Sequence, residues 1–210
     1  MAFKTWSVGD VLTASDVNAY LMQQTVIVCT SGTRPSSPVT GMTIYETDTD
    51  LYRRWTGSWV VNIMPKTTYL ASDQSTSSTT AADTSLVFAV ASGATYRFEL
   101  DLFHSMTVNG DISLQFTHPG GTLHWGGYIS DPAITTSIGS AEFRGRQNQT
   151  GSPTTALQAG SNTAGALYNR LSGLYITSAS GTVKLQIAQI SASGTTTLLT
   201  GSSITYSRIA

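Results

Sequence analysis

The most regular stretch of this chain is Thr95-Tyr96-Arg97-Phe98-Glu99-Leu100-Asp101-Leu102-Phe103, in which Tyr96, Phe98, Leu100 and Leu102 alternate with Arg97, Glu99 and Asp101. A period of two places the two sets on opposite faces of a strand. The pattern returns in Ile112-Ser113-Leu114-Gln115-Phe116, and again where Val183, Leu185 and Ile187 alternate with Lys184, Gln186 and Ala188. Shorter β-forming runs occur at Leu86 to Val90, Ala166 to Tyr168, Gly173 to Thr177, Thr195 to Leu199 and Ser203 to Ser207. Ser92-Gly93, Asn109-Gly110 and Ser180-Gly181 supply turns between them. Strands punctuated by small-residue turns, with no long helical pattern, predict an all-β chain whose residues 81–210 form a jelly-roll-type β-sandwich.

The start of the chain is patterned differently. Trp6-Ser7-Val8-Gly9-Asp10 reads as an extended arm and turn, and Thr13-Ala14-Ser15-Asp16 sets an N-cap threonine three residues before an acid. Val17, Tyr20 and Leu21 follow at the spacing of one helical face, which predicts a short helix from Ala14 to Gln24. Two or three turns are marginal alone in water, so this helix must pack against something. After the proline-fixed loop Thr33 to Pro38, the runs Gly41 to Glu46, Leu51 to Trp55 and Trp59 to Ile63 predict a three-stranded meander too small for a core of its own. Residues 1–64 therefore read as one region and 65–80 as a Ser/Thr-rich linker. The linker's composition suits either disorder or exposed extended strands.

Charge narrows the classes of partner. Charged residues make up 11% of the chain against roughly 25% in a typical soluble domain, and the net charge is −1. Basic residues occur singly or as the pair Arg53-Arg54, which leaves no footprint for nucleic acid and no polybasic patch for a membrane. So little repulsion between copies points to surface hidden in a permanent assembly. The single cysteine, Cys29, excludes an intrachain disulfide and reads as a small buried residue of the run Val26 to Cys29. No apolar signal region follows Met1 and no membrane-length apolar stretch occurs, so synthesis in the cytoplasm without membrane insertion is expected.

Candidate chemistry is sparse, and no cofactor or metal is predicted. His118 and His124 flank the turn Pro119-Gly120-Gly121, but a metal needs a third ligand, and neither helical His spacing nor a cysteine pair supplies one. No sequence feature selects a ring of one His104, His118 or His124 per copy on a symmetry axis. Glu99 and Asp101 lie about 7 Å apart on one strand face, but Arg97 shares that face, so a solvated row is the better reading than a hydrolytic pair. Asp48-Thr49-Asp50 lacks the later Gly and Glu of a calcium loop and reads as a turn. His124-Trp125-Gly126-Gly127-Tyr128 invites a ligand, because aromatic faces flanked by glycine stack on sugars or enter a partner's pocket. The competing reading is that Trp125 and Tyr128 fill the core beneath a loop.

Two parts of the sequence resemble known families. Trp6 to Asn18 fits the pattern W-x-x-G-[DE]-x-[LV]-T-A-x-D-[LV]-N and resembles the start of structural proteins of tailed actinobacterial phages. Gly41-Met42-Thr43-Ile44-Tyr45-Glu46-Thr47-Asp48, followed by Trp55-Thr56-Gly57-Ser58-Trp59, resembles a repeat in the same proteins. Leu86 to Val90, Thr95 to Phe98, Gly181 to Ile190 and Gly201 to Ile204 are similar to trimeric jelly-roll domains of phage fibres and of the tumour-necrosis-factor and C1q-like group. The resemblance implies a non-enzymatic virion protein: a homotrimer docked on other capsid or tail proteins through Trp6, Val11, Leu12, Val17, Tyr20 and Leu21, displaying its sandwich as a capsid decoration, head fibre or minor tail protein. The alternative is a tail module that binds a host receptor or cell-surface glycan through Trp125 and Tyr128.

Overall fold

Where polar and apolar residues alternate, the chain becomes strand, and strands take up more than half of the described residues. The structure, a computed structural model, describes residues 7–17, 26–107, 111–130, 141–160, 165–192 and 194–210. The chain divides into two units, residues 1–64 and 65–210. No helix among the described residues is long and apolar enough to cross a membrane.

In the first unit the capping threonine acts as its spacing predicts. The Asp16 amide donates to Thr13 Oγ1 at 3.1 Å, and Thr13 Oγ1 donates to the Asp16 carboxylate at 2.7 Å, opening helix α1 (Ala14–Asp16). The helix expected to run to Gln24 is described only at its start; Trp6, Tyr20 and Leu21 lie outside the described residues. The meander has four strands rather than three. β2 (Thr43–Glu46), β3 (Leu51–Trp55) and β4 (Trp59–Asn62) are antiparallel, and β1 (Ile27–Cys29) joins the edge of β2 in parallel. Cys29 is half-buried on that edge strand rather than buried, and desolvation followed by the nearby Glu46 charge raises its thiol pKa.

Glu46 is fully buried in this small sheet. Arg34 Nε donates to its Oε1 at 2.5 Å, Arg53 Nε to its Oε2 at 2.9 Å and Thr49 Oγ1 to Oε2 at 2.8 Å. Burial opposes the carboxylate's charge, but these three donors outweigh it and hold the pKa below the ordinary value. The turn after β2 is organised by its other acids. Asp48 accepts from the Ser31 amide at 2.8 Å and its hydroxyl at 2.5 Å, and Tyr45 donates to Asp50 at 2.8 Å.

The second unit is a β-sandwich of jelly-roll type. Its larger sheet runs in the order β11 (Ala141–Gln149), β10 (Gly121–Ser130), β13 (Gly165–Thr177) and β8 (Thr95–Met106). The far edge of β8 is shared by β15 (Thr196–Leu198) and β16 (Ser203–Arg208), which pair in turn with β6 (Gln74–Thr76) and β5 (Lys66–Tyr69). The smaller sheet is β12 (Leu157–Ala159), β9 (Ile112–Thr117), β14 (Gly181–Gln189) and β7 (Ala82–Val90). Rings from the two sheets interlock across the core: Phe88 meets Phe98 at 5.9 Å, Phe98 meets Phe116 at 5.5 Å and Phe116 meets Trp125 at 5.0 Å. Because β7 and β9 lie in one sheet and β8 and β10 in the other, this series crosses the gap at every step.

Residues 65–80 are not a linker. They carry β5 and β6, the edge of the larger sheet, where Thr67 pairs with Thr205 at 2.9 Å and Ser75 with Thr197 at 2.7 Å through their hydroxyls. A Ser/Thr run satisfies an exposed edge because its hydroxyls pair across strands while its backbone completes the ladder. The break between the short strands is built rather than frayed. Ser202, buried between β15 and β16, accepts from the Phe103 amide at 2.9 Å and donates to the Phe103 carbonyl at 3.0 Å, and Asp73 accepts from the amide and hydroxyl of Thr200. Those Thr200 bonds, the amide first, lower the Asp73 pKa.

Replacing Glu46 by Gln leaves two guanidinium groups facing a neutral amide. Glu46→Gln is expected to destabilise the first unit by about 3 kcal/mol, read as faster hydrogen exchange at the amides of β2 and β3 with unchanged exchange in β8 and β13.

Candidate functional site

The segment His124 to Tyr128 is the middle of β10, not a loop. Its glycines serve strand packing: a Cβ on Gly127 would collide with the Arg170 carbonyl, and one on Gly173 of the neighbouring strand would strike the Phe98 ring. With β11 and β13 pressed on both sides, alternation decides the rest. Leu123, Trp125 and Ile129 point into the core, whereas His124 and Tyr128 lie on the outer side. Trp125 is only 3% exposed and packs edge-on against Phe116. It therefore cannot offer its face to a ligand, and the expectation that it would is corrected. Tyr128 is 64% exposed.

The histidines are held apart. β9 and β10 lie in different sheets, so the turn through Pro119 crosses the sandwich. His118 Nε2 sits 3.0 Å from the Gly151 carbonyl, while His124 Nδ1 accepts from the Asn148 amide at 3.3 Å. Desolvation lowers the His118 pKa, partly offset by the Gly151 bond. His104 is buried, its Nδ1 3.3 Å from the Asn169 amide nitrogen, and its Nε2 has no partner among the described residues. Burial drives its pKa down to about 4.

The carboxylate row is an ion-paired ladder. Glu99 receives Arg97 at 3.1 Å and Arg170 at 3.2 Å, and Arg170 also approaches Asp101 at 3.8 Å. The Tyr168 hydroxyl donates to Asp101, and that bond chiefly raises the tyrosine's pKa. Exposed pairs of this kind add little stability. They do fix which side chains share the outer face of the larger sheet.

That face also carries a group of residues that the sequence reading did not single out. Phe103 lies opposite Tyr168 with ring centroids 5.1 Å apart, and Tyr128 lies opposite Arg170 on the same side. Register places Tyr69 and Ile176 there as well. Among the described residues of the second unit, these five are all of the exposed large apolar side chains. A signal for Phe103 did exist, since it continues the Arg97, Glu99, Asp101 parity rather than the buried one. A shallow open depression of about 490 Å³ adjoins Tyr128's strand, lined by His124, Gly126, Gly145, Gln147, Ser172 and Leu174 among others.

Of the proposed docking residues, Val11 and Leu12 are exposed by 80% and 54%, and Val17 is half-buried. Asp48 and Asp50 are taken up by the turn already described, and no group of three or more His, Cys, Asp or Glu able to hold a metal occurs among the described residues.

No protein-family model matches the chain, and no curated protein matches it. Among solved structures, the VP2 subviral particle of infectious bursal disease virus is similar at 13% identity and a TM-score of 0.25, covering 83% of this chain and 49% of that one. A mutant VP2 of the same virus, in derived T=1 particles, gives 11% identity and a TM-score of 0.21, with 76% and 47% covered. The chain thus spans about half the length of either.

Two outcomes follow. Trp125→Ala is expected to lower the unfolding free energy by about 3–5 kcal/mol, read from the shift in urea midpoint, whereas Tyr128→Ala changes it by no more than about 0.5 kcal/mol. His104 is held neutral with a folded pKa below its unfolded value of 6.5, so the unfolded chain binds the extra proton. Its contribution is complete above pH 6.5 and is lost as pH falls toward about 4, a total of about 3 kcal/mol. Urea titrations of the second unit between pH 7 and pH 5, above the carboxylate range, should show the decline, and His104→Gln should flatten most of it.

Proposed function

We propose that this chain is a non-enzymatic structural protein of a bacteriophage particle, docked through its first unit and displaying its sandwich outward as one of three copies. One observation carries this reading: the two sequence resemblances fall on different folded units. The segments similar to phage structural proteins lie within residues 1–64, and those similar to trimeric jelly rolls lie within 65–210. Val8, Val11 and Leu12 support an anchoring role, because an arm that exposes three branched apolar side chains gains by burying them in a groove. Three such weak anchors on one trimer act together, since holding them side by side raises their effective concentration. Assembly on a capsid or tail built of other phage proteins gives the virion as the location.

A second reading has one observation in its favour. Tyr128 is exposed beside the depression lined by His124, Gln147 and Ser172, an arrangement that suits stacking of a host glycan with hydrogen bonds alongside. With Trp125 in the core, Tyr128 is the aromatic on which this reading rests.

Copy number on purified particles separates the two. A decorating or fibre protein is expected at a symmetry-related, high multiple of three by quantitative mass spectrometry and imaging, and Val11→Asp/Leu12→Asp should abolish incorporation while leaving the sandwich folded. A handful of copies at a tail tip, with host adsorption weakened by Tyr128→Ala, would favour the glycan-binding module instead.

A further inference from the structure

The two outer faces of the sandwich differ sharply. The smaller sheet presents Lys184, Asp83, Gln186 and Gln115, joined by bonds of 2.6 to 2.9 Å, and no exposed large apolar residue among the described ones. The larger sheet presents Tyr69, Phe103, Tyr128, Tyr168 and Ile176. Scattered single apolar residues on a surface need no explanation, but five on one face and none on the other do.

We propose that this outer face of the larger sheet, centred on Phe103, Tyr168 and Tyr128, is the surface through which copies of this chain associate. The inference rests on the self-assembly proposed above and names the face that performs it. Size is the first argument. β8 has 12 residues, and with β10, β13 and the β15–β16 edge it makes a face of roughly 40 by 20 Å, about 800 Å². That matches the area each partner contributes to a stable complex. Charge is the second argument. Arg97 and Arg170 balance Glu99 and Asp101, and the ladder pairs them within one copy. An excess of one sign on such a face would set like charges against each other as copies gather. This face carries none, so it also offers no net field to steer a charged foreign partner. Aromatic residues and arginine over a neutral surface are the composition of interface centres.

The test uses the full chain. Sedimentation velocity at micromolar concentration should find the wild type assembled, and Phe103→Lys/Tyr128→Lys should weaken assembly by about 100-fold or more. Ser113→Lys/Thr117→Lys, which adds the same charge to the smaller sheet's outer face, should stay assembled. Far-ultraviolet circular dichroism verifies that the dissociated variant is folded; if it is not, Phe103→Ser/Tyr128→Ser takes its place, with a loss of about tenfold expected. An assembled wild type whose face variants remain assembled overturns this face and leaves self-assembly standing. A monomeric wild type overturns both, whether or not the same face then captures glycans or another phage protein.

Discussion

Strand β8 is hydrogen-bonded along both edges, to β13 on one side and to β15 and then β16 on the other, and the sandwich is arranged around that double commitment. Its 12 residues alternate without interruption, so Tyr96, Phe98, Leu100, Leu102 and His104 all enter the core. A slip of one residue in its register would bury Arg97, Glu99 and Asp101 and expose Tyr96 and Phe98, the aromatic β8 members of the core. Several features of the second unit accommodate this strand. Gly173 gives way to the Phe98 ring, Ser202 bridges the Phe103 backbone where the edge strand changes, and the Ser/Thr-rich segment closes the outer edge.

The same alternation that buries one side of β8 specifies the other. Arg97 and Arg170 pair with Glu99 and Asp101, so the row is balanced in charge. Around it stand the exposed aromatics. Phe103 and Tyr168 pair across β8 and β13 with ring centroids 5.1 Å apart, and Tyr128 stands on the same side. The first unit solves a different problem. Its sheet is too small for a large apolar core, and a buried carboxylate with three donors ties loop, turn and strand together. Arrangements of this kind confer geometry more than net stability.

Strand identity and inner-versus-outer parity were legible in the residues themselves. The strands at 95–106, 112–117 and 181–189, the capping pair Thr13 and Asp16, and the turn at Asp48 follow from local pattern, because period and side-chain reach are properties of a few consecutive residues. Strand pairing was not legible. In the second unit, only β10 and β11 pair among consecutive strands of the described residues; β8 finds β13, β14 finds β7 and β9, and β16 finds β8. Such partners lie as far as 112 residues apart, as Tyr96 and Arg208 do, where no local signal reaches.

That distance explains both corrections of substance. Residues 65–80 lack apolar alternation because an edge strand facing solvent does not need it, so they read as a linker until β15 and β16 arrive to pair with them. Trp125 sits among glycines that look like loop residues until β11 and β13 close on either side; only then does its parity with Leu123 and Ile129 send it inward. The sequence by itself determined an all-β chain, a capped helix start, sparse charge and the two faces of each strand. Tertiary structure alone decided which strands became neighbours, and with them which outward residues gathered on one face, because a sheet face is assembled from strands that only long-range pairing brings together.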